Sequence, residues 1–339
     1  MSKVNIAVIG VGHMGKYHVN ALAGMDDVNL VGVCDINEKQ GYEVANKYKT
    51  RYFRDIRDLF GRVDAVVVAV PTFLHYYVAS EFIRRGIHTL VEKPITRSIN
   101  YARKLIDLSY KHNVVLQVGH IERYNSAIQE LRNIVNKPFL IEARRMGPRN
   151  TRIKDVGVVL DLMVHDLDVV LNLLGKNNLD IVYIGASGIK VYSDYEDIAS
   201  ATIVFSDESI ANITASRATE NKKRILQISQ EGAFIEIDYS TQDITIYRQS
   251  MSDYILNKDE VKYIQEAFIE KVYVRKEDAL KRELRHFIGC ITGKEKPMFS
   301  SELDLKTHIV AKKIMDIIYS QWKNNFSKYP HYGTVQVNI

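Results

Sequence analysis

Apolar runs alternate with amphipathic segments through the first third of the chain. Val4–Ile9 and residues 64–70, 88–94 and 114–120 contain short runs rich in Val, Leu and Ile, separated by segments with the mixed polarity of surface helices. Strands that are buried on both faces have such runs, and strands that alternate with helices indicate a parallel sheet. We therefore predict a doubly wound α/β fold, whose ligands lie beyond the carboxyl ends of the strands.

The pattern changes after residue 120, and after Gly175 it becomes a series of extended runs in which apolar and polar residues alternate. The alternating runs are residues 197–207, 209–218, 223–230, 233–240 and 243–249. Short polar turns such as Asp207–Glu208 and Glu231–Gly232 separate them. A period of two with short turns is typical of an antiparallel, half-buried sheet. We therefore predict a second domain of different architecture.

One apolar segment, residues 159–175, carries an unusual set of polar side chains. Four of them lie three or four positions apart: Asp161, His165, Asp168 and Asn172. At 3.6 residues per turn they fall on one stripe of a helix, whereas Asp166 points elsewhere. Solvated helix faces usually mix Lys, Arg, Glu and Gln, and this stripe has none of them. We interpret the stripe as functional; the alternative is a face that only meets water.

A glycine-rich turn joins the first apolar run to a helix predicted over residues 17–23. Its sequence is Gly10, Val11, Gly12, His13, Met14 and Gly15, the pattern G-x-G-x-x-G. The first glycine permits a tight turn, the second lets the backbone approach a pyrophosphate, and the third lets the helix pack closely on the strand. Free N–H groups at the helix start favour phosphate. The segment therefore predicts a dinucleotide-binding domain.

Asp35 ends the second apolar strand, where a carboxylate can accept hydrogen bonds from both ribose hydroxyls of the adenosine. The residues directly after it, from Ile36 to Glu38, include no Arg. We therefore predict NAD as the cofactor, with NADP as the alternative. A cap for the following helix is the alternative role of Asp35.

The composition fits a soluble protein of about two domains, with 339 residues, 46% hydrophobic and 26% charged. A net charge of +5 is small for this length, so we expect no nucleic-acid partner. No apolar run approaches the ~18 residues of a membrane span, and we expect no membrane partner. Cys34 and Cys290 are too few for a disulfide framework, and no signal-peptide pattern is present. We expect a cytoplasmic protein without a metal site.

Lys93 directly follows a predicted strand and stands between Glu92 and Pro94. Because proline cannot continue a sheet ladder, the chain must leave the sheet there. Folds of this kind keep their chemistry at that edge, so we predict a functional role for Lys93. A surface lysine that pairs with Glu92 is the alternative.

Together these segments resemble the Gfo/Idh/MocA family of NAD(P)-dependent oxidoreductases. The resemblance covers essentially the whole chain and rests on the glycine turn followed by VPTFLH, EKP, QVGHIERYN and DLMVHDLD. It implies a Rossmann domain over residues 1–121 and an α+β domain over residues 122–339 with an open, mainly antiparallel sheet. Such proteins usually form homodimers or homotetramers through that sheet.

The resemblance also implies roles for individual residues. The family's catalytic lysine corresponds to Lys93, and the aspartate and histidine of its active-site helix correspond to Asp161 and His165. The predicted cofactor-binding residues are Gly10, Gly12, His13, Met14, Gly15, Asp35, Ile36, Val70, Pro71, Thr72, His75, Glu92 and Lys93. The predicted substrate-binding residues are Lys93, Arg123, Tyr124, Asn125, Arg145 and His165.

The segments GHIERYN and DLMVHDLD resemble a branch of the family that oxidises the 3-hydroxyl of UDP-N-acetylglucosamine, ahead of transamination to a 3-amino sugar for lipid A. Met163 stands where many family members have glycine. Arginines suit the diphosphate of such a substrate, and a basic cluster is present at Arg144, Arg145, Arg149, Arg152 and Lys154. Strand alternation places the first two on opposite faces, so we expect only one at the site. An exposed basic loop is the alternative.

We expect His165 to remove the hydroxyl proton, because histidine is a natural base near neutral pH. Asp161 would orient the imidazole, and Lys93 would stabilise the charge that develops on the same oxygen. One alternative is a dehydrogenase of inositol or another unactivated sugar. Another is a sugar-sensing regulator that binds NAD without chemistry; such proteins are expected to lack the lysine or the histidine, and this chain has both.

Overall fold

A computed structural model describes residues 3–149, 156–174, 180–249, 253–257, 260–264 and 267–328. The chain divides into two compact units: Met1–Glu130 with Arg275–His308, and Leu131–Val274 with Ile309–Ile339. We call these the first and the second unit. The structure differs from the predicted boundary at residue 121, because a segment near the end of the chain returns to the first unit.

Six parallel strands form the sheet of the first unit, in the order β3-β2-β1-β4-β5-β6. The predicted doubly wound α/β fold is confirmed. In chain order the elements are β1 (Val4–Ile9), α1 (His13–Ala23), β2 (Val28–Cys34), α2 (Glu38–Lys47), β3 (Arg51–Phe53), β4 (Ala65–Val68), α3 (His75–Ile83), β5 (His88–Glu92), α4 (Ile99–Lys111), β6 (Leu116–Gly119) and α5 (Ser126–Ile134), the last of which crosses the division after Glu130.

An apolar core lies on each face of this sheet. All four residues of β4 are buried, because a parallel strand covered by helices on both sides has no solvent face. Helix α1 begins at His13, four residues before its predicted start, directly after the glycine turn. The late helix α7 (Ala279–Ile291) contributes Leu284 and Phe287 to the core that also contains Val19 and Leu22 of α1. Its apolar face is therefore why residues 275–308 belong to the first unit.

The second unit contains an eight-stranded sheet, in the order β16-β13-β12-β11-β7-β10-β9-β8. Among the described strand pairs of this sheet only β7 and β10 run parallel, so the mainly antiparallel sheet is confirmed. The elements are β7 (Leu140–Met146), α6 (Val164–Leu174), β8 (Ile181–Ile189), β9 (Ile198–Phe205), β10 (Ile210–Ser216), β11 (Lys223–Gln230), β12 (Ala233–Asp238), β13 (Asp243–Gln249), the separate hairpin β14 (Asp253–Asn257) and β15 (Glu260–Ile264), and β16 (Ala267–Val272). Helix α8 (Ser301–Lys328) contains the last division between the units.

The two faces of this sheet differ in polarity and exposure. Burial alternates residue by residue along β10 and β12, with one face fully buried. On the more exposed face, paired positions of seven strands form one row that is mostly apolar: Val204, Ile210, Leu140, Ser229, Phe234, Tyr247 and Ile269. In this row Tyr247 is 38% exposed and Ile269 62% exposed. We call this set the open-face row.

Helix α8 covers part of the β8 edge of the sheet. The indole Nε1 of Trp322 donates to the carbonyl of Gly188 at 2.9 Å, and Gln321 Nε2 donates to the carbonyl of Ala186, also at 2.9 Å. These bonds occupy backbone groups that an edge strand would otherwise present. In the part of the chain that the structure describes, no helix has the length and apolarity to cross a membrane.

Candidate active site

The glycine turn after β1 has the geometry that a bound dinucleotide requires. Gly10 has a φ of 85°, and a Cβ there would lie 2.7 Å from the carbonyl oxygen of Ala69. A Cβ on Gly15 would lie 1.9 Å from the carbonyl oxygen of Gly10, so only glycine lets α1 approach β1 this closely. Around Gly12, by contrast, a Cβ would meet nothing within 4 Å. The turn thus leaves open space at the start of α1, where a pyrophosphate fits.

Asp35, directly after β2, is held by the backbone on both sides of its carboxylate. One oxygen accepts the N–H of Val11 at 2.8 Å, and the other accepts the N–H of Asn37 at 2.8 Å. The side chain is half-buried, whereas Ile36 is 89% exposed. The carboxylate therefore has a fixed direction and lies against the glycine turn, as an acceptor for ribose hydroxyls would.

The segment after β4 divides into an exposed part and a buried part. Pro71 is exposed and Thr72 half-buried, so both can meet a ligand. His75 is 1% exposed, with Nδ1 2.9 Å from the carbonyl oxygen of Pro94 and Nε2 2.9 Å from that of Val70. Burial lowers the pKa of His75, although these carbonyls partly oppose the effect. Both ring nitrogens thus face the backbone of the first unit, and the cofactor contact predicted for His75 stays a prediction.

Lys93 leaves the end of β5 as predicted, but its neighbour Glu92 does not pair with it on the surface. Glu92 is 7% exposed, and its Oε1 lies 2.7 Å from Nε2 of His18 on α1. Its Oε2 accepts the backbone N–H of Lys93 at 3.2 Å. The Glu92 carboxylate thus points into the first unit and supports the backbone of Lys93. Lys93 itself is half-buried at the carboxyl edge of the sheet.

In the second unit, the helix with the polar stripe begins with a π-helical turn, Val159–Met163, rather than a regular α-helical one. The N–H of Val164 reaches the carbonyl of Val159, five residues earlier. Asp161 and His165 are nevertheless both half-buried, whereas Met163, Val164 and Leu167 of the same segment are buried, so the two polar residues share the less buried side. Asp168 is only 1% exposed. Such π turns occur frequently at functional sites.

Glu196 holds the start of this helix, a role that the sequence analysis did not predict. Its side chain accepts the N–H of Val159 at 3.1 Å and the hydroxyl of Tyr319 at 2.8 Å. A Cβ on Gly157 would lie 2.1 Å from the Glu196 carboxylate, so glycine makes room for it. The signal was present only as an acidic residue between polar neighbours, far from residue 159 in the chain. The contact fixes the turn that carries Asp161.

Arg145 and Asp166 form a buried ion pair inside the second unit. Arg145 donates to both carboxylate oxygens of Asp166, at 2.8 and 3.0 Å, and the side chains are 4% and 1% exposed. Asp166 binds the guanidinium and ties α6 to β7, and the substrate contact predicted for Arg145 stays a prediction. Arg144 is exposed, as the alternation predicted, and Arg149 stacks over Tyr192 with 4.9 Å between guanidinium and ring centre.

Arg152 and Lys154, the other members of the basic cluster, lie outside the described residues. The role of the whole cluster as a diphosphate site therefore rests on the sequence pattern.

The three residues predicted to contact the sugar after β6 are buried in the first unit. Arg123 lies 2.6 Å from Asp304, Tyr124 shares a 2.9 Å hydrogen bond with His286, and the side-chain Oδ1 of Asn125 accepts the N–H of Ala127. They are 4%, 2% and 4% exposed. These side chains bind groups of their own unit, most of them distant in the sequence, and the sugar contacts predicted for them stay predictions.

Comparison with known proteins matches two parts of the chain to family models. Residues 4–120 match the family model described as oxidoreductase family, NAD-binding Rossmann fold, and residues 128–238 match the GFO/IDH/MocA C-terminal domain. The chain is 33% identical over 300 residues to a UDP-N-acetylglucosamine 3-dehydrogenase of Acidithiobacillus ferrooxidans, covering 88% of this chain and 92% of the relative.

The chain belongs to the Gfo/Idh/MocA oxidoreductase family. A solved structure of the Acidithiobacillus ferrooxidans enzyme superimposes with a TM-score of 0.83 at 30% identity, covering 94% of this chain and 99% of the other. A scyllo-inositol 2-dehydrogenase (NAD(+)) of Bacillus subtilis is 25% identical, covering 87% of this chain and 88% of the relative. A scyllo-inositol dehydrogenase of Lactobacillus casei with bound NAD(H) and scyllo-inositol has a TM-score of 0.77 at 16% identity, covering 94% of this chain and 98% of that one, which shows the shared fold.

Proposed function

We propose that this protein oxidises a sugar hydroxyl to a ketone with NAD, and that its substrate is UDP-N-acetylglucosamine, oxidised at the 3-hydroxyl. The observation that carries the proposal is the 33% identity, over 88% of the chain, to a relative named for that reaction. The proposal is also supported by the glycine turn, Asp35, Lys93 and the half-buried residues Asp161 and His165. These are the groups that would bind the dinucleotide and handle the hydroxyl proton.

Different residues of this chain bind the dinucleotide and transfer the hydroxyl proton. Gly10–Gly15 and Asp35 would hold the dinucleotide, whose nicotinamide ring accepts a hydride when bound. His165 takes the hydroxyl proton as the carbon–hydrogen bond breaks. Asp161 orients the imidazole and stabilises its charged form. Lys93 donates a hydrogen bond to the substrate oxygen and stabilises its developing negative charge.

A panel of substrates tests the proposal. Reduced nicotinamide, followed by its near-ultraviolet absorbance, should form with UDP-N-acetylglucosamine and not with scyllo-inositol or myo-inositol. Substrate deuterated at carbon 3 should transfer the deuterium to NAD, and substrate deuterated at carbon 4 should keep it. Turnover of an inositol alone would favour the second candidate, which the similarity to scyllo-inositol 2-dehydrogenase supports. NAD binding without any turnover would favour a regulator.

Replacement of His165 separates its proton-transfer role from a structural one. His165→Asn should lower kcat by at least about a hundredfold, because a positioned base contributes roughly 10²–10⁴-fold. The Kd for NAD, measured by calorimetry, should stay within about twofold of the original, because the predicted dinucleotide contacts lie elsewhere. Loss of NAD binding in this variant would contradict the assigned role.

We further propose that the protein works in the cytoplasm as a homodimer or homotetramer, assembled through the open-face row of the second unit. The exposed apolar side chains of that row support this, since contiguous exposed apolar surface usually marks an interface. The ketone product would then serve transamination toward a 3-amino sugar for lipid A.

A further inference from the structure

Two buried histidines hold the residues on either side of Lys93. His18 on α1 lies 2.7 Å from the carboxylate of Glu92, which precedes Lys93. His75 on α3 lies 2.9 Å from the carbonyl oxygen of Pro94, which follows it. The histidines are 0% and 1% exposed. Because buried polar side chains need partners, both contacts fix the turn at the end of β5.

The groups packed around Glu92 fix the position of its carboxylate. One oxygen faces His18, and the other accepts the backbone N–H of Lys93 at 3.2 Å. On the neighbouring strand, a Cβ on Gly119 would lie 3.2 Å from that second oxygen. The glycine therefore makes space for the carboxylate, and Glu92 links the α1 histidine directly to the backbone of Lys93.

The charges around Glu92 favour its ionised form beside His18. Burial opposes ionisation, but the hydrogen bond from His18 and the charges of His18, Lys93 and His75 hold the pKa of Glu92 below its usual value. Glu283 on α7 faces the same region, where burial and the charge of Glu92 raise its pKa well above the usual range despite the opposing charge of Arg123. Glu92 thus favours its charged form in this cluster, whereas Glu283 favours its neutral form.

The helices that carry these histidines begin at segments predicted to bind the cofactor. Helix α1 starts directly after the turn Gly10–Gly12, and α3 follows Pro71 and Thr72. We propose that His18 and Glu92 form a positioning pair for Lys93, with His75 as a second support on the far side of the turn. The reaction that Lys93 serves is the proposed function, and the inference rests on it. Through these contacts the two cofactor-binding segments set the place of the lysine.

Two variants of His18 test the pair. His18→Gln keeps an amide N–H near the position of the imidazole Nε2, whereas His18→Leu keeps none. His18→Leu should lower kcat by at least about tenfold, with the KM for sugar and the Kd for NAD changed less than about threefold. His18→Gln should restore most of kcat. The matched control is His88→Leu at the opposite end of β5, where Nδ1 of His88 accepts the N–H of Val115; its kcat should stay within about twofold of the original.

A second measurement does not depend on turnover. Trace acetylation of the NAD-loaded protein by acetic anhydride, read by mass spectrometry, reports the reactivity of the Lys93 amine. In His18→Leu the Glu92 carboxylate loses its partner and pairs with the Lys93 amine, which is then less accessible to the anhydride and reacts more slowly. Exposed Lys39 serves as the internal reference.

The outcomes separate this inference from the proposed function. Slower labelling of Lys93 in His18→Leu and recovery in His18→Gln support the positioning pair, even if no sugar is turned over. Unchanged labelling and unchanged kcat in His18→Leu overturn it. Equal loss of NAD binding and of kcat in both variants also overturns it, because that result describes a general structural role.

Discussion

Asp35 shows how a single carboxylate combines two tasks. Its oxygens accept the backbone N–H groups of Val11 and Asn37. Each oxygen still has a lone pair for a ribose hydroxyl. The same negative charge disfavours the extra phosphate of NADP.

Replacement of Asp35 should therefore weaken NAD specifically. We expect Asp35→Ala to raise the Kd for NAD by at least about tenfold, or about 1.4 kcal/mol, and to raise the Kd for NADP much less. Asp35→Asn, which keeps one acceptor oxygen, should fall between. Calorimetric titration measures both constants, with exposed Glu43→Ala on α2 as the control. An unchanged Kd for NAD in Asp35→Ala would contradict the ribose assignment.

Glu283 makes the free energy of unfolding decrease as pH rises, which is uncommon for an acidic residue. Burial raises its pKa in the folded protein, so the folded state keeps a proton that the unfolded state releases. Below the ordinary pKa of a glutamate, this group contributes its full stabilisation. As pH rises toward the pKa of Glu283 in the folded protein, that stabilisation is lost by at most about 1.4 kcal/mol per pH unit. Glu283→Gln, which mimics the neutral acid, removes this loss.

Urea unfolding from about pH 5 to about pH 8 measures this difference. The stability of Glu283→Gln relative to the original protein should increase with pH until the folded-state pKa of Glu283 is passed. A constant difference would show that Glu283 is ionised in the folded state.

At the scale of elements, the buried pair of Arg145 and Asp166 ties α6 to β7. Arg145→Met leaves Asp166 buried without its partner and should cost about 3–5 kcal/mol of unfolding free energy. The double variant Arg145→Met, Asp166→Leu should recover much of that loss, because no charge stays buried. Arg144→Met, on the exposed face of the same strand, should change stability by less than about 0.5 kcal/mol. A double variant as unstable as the single one would mean that the pair does more than cancel two charges.

The sequence allowed the elements near β1 to be predicted because local rules decide them. Gly10 and Gly15 have steric requirements that only glycine meets, and the buried strand β4 has no polar residue. The turns at Asp207–Glu208 and Glu231–Gly232 fall where polarity alternation stops, and the described strands end there. These signals lie within a few residues of the structure that they specify.

The partners of polar side chains could not be predicted in the same way. In the sequence, Arg123 and Arg145 resemble arginines that bind a substrate. The structure shows that each forms an ion pair, Arg123 with Asp304 and Arg145 with Asp166. The partner of Arg123 lies on a helix near the end of the chain. His18 was overlooked because its partner Glu92 is 74 positions away. Its one local signal is a histidine on the apolar face of α1.

At the scale of the whole molecule, a substitution in the open-face row tests whether the protein forms an oligomer through that face. Tyr247 sits between Phe234 and Ile269 in that row, at a ring-centre distance of 5.8 Å from Phe234. Tyr247→Glu would bury a charge in the proposed interface and should convert the oligomer to a monomer, seen by light scattering after gel filtration. Tyr42→Glu, at an exposed aromatic residue of the first unit, is the matched control. A monomeric original protein would refute the proposed assembly.

The return of residues 275–308 to the first unit has a consequence for the order in which the chain is made. When a ribosome has synthesised the six strands of the first sheet, α7 does not yet exist, and the α1 side of that core lacks Leu284 and Phe287. The nascent first unit must keep this apolar surface uncovered while the whole eight-stranded sheet is translated. Chaperone binding to that surface is then most needed midway through synthesis, and a chain that stops after residue 130 is left with a permanent aggregation site.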